Sequence, residues 1–153
     1  MGADRPAERH TVASAAAYRI SPGDTVRLAV LRPPDDQYGA SVFFEVWDPG
    51  GAQPPNSHAG SVETFFFVAG SGVAYCDGLA TPVAAGDLLV LPARSVHRIV
   101  NTGPGRLYAV TTMTPDGGFA ALVTAGTPVE LDADDLAVAA GGGRPPGGEP
   151  AGG

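Results

Sequence analysis

Gly50-Gly-Ala-Gln-Pro-Pro-Asn56-Ser-His58-Ala-Gly-Ser-Val-Glu63, with Gly70 seven residues on, and Gly86-Asp-Leu-Leu-Val-Leu-Pro92-Ala-Arg94-Ser-Val-His97-Arg-Ile-Val-Asn101 decide how this chain is read. Side chains two apart on a strand share a face, so Asn56 and His58 point the same way. The short, glycine-containing Ala59-Gly60-Ser61-Val62 lets the chain turn and enter a new strand at Glu63. His97 arrives a strand or more later, after a Gly86-Asp87 turn and Pro92. Two imidazoles and one carboxylate converging on one interior suit Fe(II), Mn(II) or a similar divalent ion and leave coordination positions open. Asn56 offers a neutral carbonyl oxygen, a weaker ligand than imidazole, or a hydrogen bond beside the ligands.

The joint spacing of the two stretches, over roughly residues 41 to 113, resembles the cupin superfamily. The family pattern runs glycine, five residues, His-x-His, three or four residues, Glu, six residues, Gly. It continues with Gly, five residues, Pro-x-Gly, two residues, His, three residues, Asn. Asn56 stands where the first histidine belongs, and Arg94 where the second motif has glycine. The resemblance implies a double-stranded β-helix, a closed jelly-roll. It also implies one divalent ion per chain held by His58, Glu63 and His97 with Asn56 at the fourth position: Fe(II) first, with Mn, Ni or Zn as alternatives. A barrel that has lost its ion and serves as a cage is the opposing reading.

Composition sets bounds on the rest. A chain of 153 residues is one domain's worth. Its 22 glycines and 15 prolines suit many short strands and turns. The net charge of −7 and the absence of any basic run exclude nucleic acid and an anionic membrane surface as partners. Cys76 is the single cysteine, so no internal disulfide forms. The start has no apolar stretch, and nowhere do eighteen apolar residues run together. A cytoplasmic protein is expected.

Along the chain, residues 1 to 11 are polar and read as a flexible N-terminus, 12 to 140 as a single domain, and 141 to 153 as a disordered Gly/Pro-rich tail. Strands are expected over Thr11–Ile20, Thr25–Leu31, Ser41–Trp47, Glu63–Ala69, Val73–Cys76, Leu79–Val83, Asp87–Leu91, Val96–Asn101 and Arg106–Met113. Asp77-Gly78 is a two-residue hairpin signal, and Gly70-Ser71-Gly72 is read as a break. Two short helices close the domain, Gly117–Ala125 and one from Ala133 to Ala140 with Asp132 as N-cap and Asp135 three residues on. The expected class is all-β with two short C-terminal helices.

Three further residues are candidates for catalysis. Glu45 shares a strand face with Phe43 and Trp47, and a lone buried carboxylate needs a partner or a polar cavity. Tyr75 and Tyr108 tolerate a half-polar cavity and could hold a substrate oxygen. Phe65, Phe66 and Phe67 are read as core, Arg98 as facing away from His97, Arg94 as a solvated loop arginine, and Asn101 as a hydrogen-bonding strand end. The function expected is a mononuclear non-haem iron (di)oxygenase acting on a small organic molecule. The alternatives are a non-catalytic ligand-binding or sensing module and a metal-dependent isomerase, decarboxylase or lyase. A homodimer is expected, with Thr11 to Leu31 supplying spare strands to a partner's edge.

Overall fold

The computed structural model describes residues 2–142, so most of the expected tail lies outside the described residues. Ten strands and two helices follow one another: β1 (Ala17–Arg19), β2 (Val26–Arg32), β3 (Ser41–Trp47), β4 (Val62–Ala69), β5 (Ser71–Cys76), β6 (Leu79–Ala84), β7 (Leu88–Leu91), β8 (His97–Asn101), β9 (Leu107–Thr114), α1 (Phe119–Thr124), β10 (Thr127–Val129) and α2 (Ala133–Ala139). A seven-stranded sheet runs β10-β1-β2-β3-β9-β4-β7 and faces a three-stranded sheet, β6-β5-β8. Every pairing is antiparallel, and the expected jelly-roll is present. No described helix is long and apolar enough to cross a membrane.

Alternation along the strands decides what lies between the sheets. Phe43 and Trp47 of β3, Phe65 and Phe67 of β4, Ile99 of β8, and Leu107, Ala109 and Met113 of β9 form one apolar core. The alternate residues Phe44, Val46 and Tyr108 point outwards, into a second cluster with Ala17 and Ala29. Val138 and Ala139 of α2 and Val12 of the N-terminal segment pack over that cluster. The helix therefore covers the outer face of the larger sheet.

Asp135 holds α2 in place. Its carboxylate is fully buried and accepts from Arg27 at 2.6 and 3.3 Å, from Arg106 at 3.0 Å and from the Tyr108 hydroxyl at 2.9 Å. The same carboxylate accepts from the Asp132 N–H, while Asp132 accepts from the Asp135 N–H, a reciprocal cap that the sequence spacing anticipates.

Several boundaries differ from expectation for identifiable reasons. Thr11–Ile20 is not one strand: a 3-10 turn at Val12–Ser14 precedes β1. Thr127–Val129, outside the expected strands and helices, becomes β10 because β1 offers it an edge. Both β1 and β2 have neighbours on each side, so they are inner strands of the chain's own sheet and not spare ones. The chain turns at Gly70, φ +89°, but Ser71 and Gly72 already belong to β5. Gly72 lies inside a strand because a Cβ there would stand 2.4 Å from the Val100 carbonyl oxygen. The Asp77-Gly78 hairpin forms as expected, with φ values of 48° and 81°.

Removing one member of the Asp135 cluster leaves buried charge uncompensated. Asp135→Ala is expected to cost about 3–5 kcal/mol in urea denaturation, since Arg27 is only 6% exposed. A loss below about 1 kcal/mol, the worth of an ordinary surface pair, would show that α2 is not anchored through this carboxylate.

Candidate metal centre

The segment Ala52–Asn56, between β3 and β4, runs beside β8 and extends the smaller sheet. Ala52 bridges to Val100, and Asn56 exchanges both backbone hydrogen bonds with His97, at 2.9 and 2.8 Å. That pairing sets Asn56 and His58 against His97 across one end of the barrel. Glu63 enters from the start of β4, where it opposes Leu91 and Met113 on an otherwise apolar face.

The donor atoms of His58, Glu63 and His97 lie within 4.8 Å of one another. Glu63 Oε2 is 3.2 Å from His58 Nε2 and 2.9 Å from His97 Nε2. His97 Nδ1 lies 3.2 Å from the Ser95 carbonyl oxygen, which can take an Nδ1–H when Nε2 serves as donor to an ion. Phe119 of α1 packs edge-on against His58, with ring centroids 5.6 Å apart. Burial opposes ionisation of Glu63, but hydrogen bonds from His58 and His97 outweigh it and hold the carboxyl below its ordinary value. A deprotonated carboxylate and two imidazole nitrogens with a common focus are a donor set that fits a divalent ion.

Asn56 is brought to the centre but is not turned as a ligand. Its side-chain oxygen accepts from the Ser57 N–H at 2.8 Å, and its amide nitrogen lies 3.2 Å from His58 Nε2. The expected oxygen ligand is thus a hydrogen-bonding neighbour of the donors. Arg94 is exposed, as expected, and takes a left-handed φ of 67° where the family pattern has glycine. That conformation aims its N–H at the His58 carbonyl oxygen, 2.7 Å away, and so ties the two motifs together. Asn101 donates to the carbonyls of Trp47, Asp48 and Gly105 and pins the end of β8, as its place in the sequence suggests.

A cavity of about 160 Å³ opens beside the donors. Glu63 and His97 meet it at one end, and Glu45, Gln53, Val26, Leu28 and Phe119 line its body. Glu45 is 1% exposed and accepts from the Thr111 hydroxyl, with the Gln53 side chain beside it. Gln53 is itself fixed, accepting from the Ile99 N–H at 3.2 Å. Burial, reinforced by the nearby Glu63 charge, pushes the Glu45 carboxyl up to about 8.

The two tyrosines belong elsewhere. Tyr75 sits on the outer face of β5, where Arg98 lies over its ring at 5.3 Å. Tyr108 faces away from the cavity and into the α2 contact, where burial and Asp135 push its hydroxyl up to about 12. Each is one position out of register with the inward residues of its strand. Gln53, Ser95, Thr111 and Phe119 were not singled out from the sequence. Thr111 carries the clearest signal, a polar residue in the alternating series Leu107, Ala109, Thr111, Met113.

The family described as Cupin domain matches residues 43–112, which contain every donor of this centre. Residues 43–112 thus form a cupin domain. Solved structures agree with the assignment. A predicted oxalate decarboxylase from Thermotoga maritima superposes with a TM-score of 0.63 at 23% identity, over 69% of this cupin and 97% of that chain. A Streptomyces nucleoside dehydratase solved with uridine gives 0.59 at 24%, over 72% and 84%. A recombinant oxalate oxidase in complex with glycolate gives 0.56 at 22%, over 63% and 54%. At these identities the likeness concerns the fold. Comparison with curated protein sequences yields no match.

Glu63→Ala and His97→Ala are each expected to lower metal content more than tenfold while the β-sheet circular dichroism is kept, because Phe43, Trp47, Phe65, Phe67 and Ile99 still pack the space between the sheets. Full occupancy in both variants by elemental analysis would remove the assignment.

Glu45 binds its proton more tightly folded than unfolded, where its ordinary value is 4.5. Its contribution to stability is therefore full below 4.5 and is lost as pH rises towards about 8. In metal-free protein, Glu45→Gln should flatten the fall in stability over that window. An unchanged pH profile would show that Glu45 is not the group responsible.

Proposed function

We propose that this cupin is a metal-dependent enzyme acting on a small organic molecule, with a mononuclear non-haem iron oxygenase as its specific activity. The observation that carries the proposal is the common focus of His58, Glu63 and His97 at the end of a cavity. A divalent ion held there supplies Lewis acidity and, as Fe(II), the reducing power for dioxygen chemistry. Three protein donors leave more open positions than four, and Asn56, with its oxygen engaged by Ser57, leaves the fourth place free of a strong ligand.

The chain's own residues would do the rest. Ser95 fixes the His97 ring, and Phe119 shields His58 from water. Val26 and Leu28 give the substrate an apolar wall, and Glu45, protonated at neutral pH, can donate to a substrate oxygen and take the proton back. A small-molecule substrate and a homodimer belong to the same proposal. The surface for assembly shifts from β1 and β2 to the exposed Phe66, Leu88 and Val90 on the outer face of β4 and β7.

Glu45 also favours a second reading, a metal-dependent lyase, isomerase or decarboxylase in which proton transfer replaces dioxygen chemistry. The nucleoside dehydratase and the predicted oxalate decarboxylase among the similar folds are consistent with it. Oxygen consumption separates the two. Fe(II)-loaded protein is expected to take up dioxygen in proportion to substrate across a panel of phenols and enols, and zinc-loaded protein is not. Turnover in the zinc or manganese form without oxygen uptake selects the lyase reading. Ligand binding with no turnover in any metal form would sink the enzyme altogether.

A further inference from the structure

The wall of the cavity has an uneven charge. Its ionisable lining consists of Asp24, Glu45, Glu63 and His97, and no described arginine lines it. The sequence contains no lysine at all. The arginines close to the barrel ends are engaged elsewhere. Arg19 donates to the Asp24 carbonyl oxygen and pairs with Asp48, Arg27 is bound to Asp135, and Arg98 lies over Tyr75 on the outer surface. Arg94 approaches the centre through its backbone N–H, and its side chain is not part of the lining.

A buried anion needs a cation or several donors, or it pays the full cost of leaving water. A carboxylate placed in this cavity would find one cation only, the ion itself, and would lie near the carboxylates of Asp24 and Glu63. An uncharged hydroxyl meets no such penalty. It can exchange hydrogen bonds with Glu45, which Thr111 and Gln53 hold in place, while its apolar body rests on Val26, Leu28 and Phe119.

We propose that the cavity takes an uncharged, hydroxyl-bearing small molecule with an apolar body, and that Glu45, steadied by Thr111 and Gln53, selects it against carboxylates. This inference rests on the reading of the same cavity as the substrate site. It narrows that reading to one class and places charge discrimination in the protein wall, apart from the ion.

Three probes on one skeleton test it: benzyl alcohol, benzoate and benzylamine, which are neutral, anionic and cationic at neutral pH. Each is titrated calorimetrically into the full chain, both zinc-loaded and metal-free, with metal content measured on the same samples. Benzyl alcohol is expected to bind both forms, about tenfold or more tighter than benzoate. Glu45→Gln should keep that preference and Glu45→Ala should abolish it. Should Glu45→Ala fail to fold, the wild-type ranking alone decides. Benzoate or benzylamine matching the alcohol in either form overturns the inference, as does an absence of alcohol binding. Protein that takes up no metal yet prefers the alcohol would uphold this inference while removing the metal-dependent reading.

Discussion

A carboxylate withdrawn from water into an apolar barrel is the constraint around which this molecule is built. Glu63 is 3% exposed and stands between Leu91 and Met113. Leaving it ionised there without partners would cost several kcal/mol. Its two imidazole partners come from the opposite side of the barrel, His97 from β8 and His58 from the segment beside it. Their contact therefore joins the two sheets. It requires Ala52–Asn56 to run along β8, and the hydrogen bond from the Arg94 N–H to the His58 carbonyl holds that course. A metal ion would take over a focus that the protein already maintains by hydrogen bonding.

The strands at the middle of the larger sheet do two jobs at once. On β3, Phe43, Glu45 and Trp47 face the interior, while Phe44 and Val46 face α2. On β9, Thr111 supports Glu45 from within and Tyr108 meets Asp135 from without. Burial on both faces removes the contrast between a polar and an apolar side. A shift of one residue would exchange the cavity's chemistry for that of the helix contact. The Asp135 cluster, fixed by Arg27 on β2 and by Arg106 and Tyr108 at the start of β9, holds the outer face and opposes such a shift.

The same property governs what could be read from the sequence. His58, Glu63 and His97 were legible because the joint spacing of the two stretches that carry them resembles a known metal-binding pattern. Asp132 and Asp135 were legible because a reciprocal cap is local. Tyr108 misled because both faces of β9 carry large side chains, and Tyr75 because the inward residues of β5, Gly72, Ala74 and Cys76, are small, so nothing local fixed which way either phenol points. The orientation of Asn56 depended on the Ser57 N–H, a contact that spacing does not disclose. β10 was invisible because three residues including Pro128 have little strand character until β1 supplies a partner. Gln53 acquired its role only when Ile99 and Glu45 came to either side of it.

The donors come from one part of the chain, whereas part of the apolar wall of the cavity comes from others. His58, Glu63 and His97 all fall within the stretch matched by the family, residues 43–112. Ile20, Val26, Leu28, Phe119 and Leu122, which shape the space beside them, come from before and after it. The central stretch thus carries the donors together with Glu45 and Gln53, while the flanks add apolar surface around a guest. Changes at the flanks can remodel the guest without disturbing the donors, up to the point where they loosen the grip of Arg27 on Asp135. A chain arranged in this way can keep one chemistry while changes at its ends reshape the apolar part of the cavity.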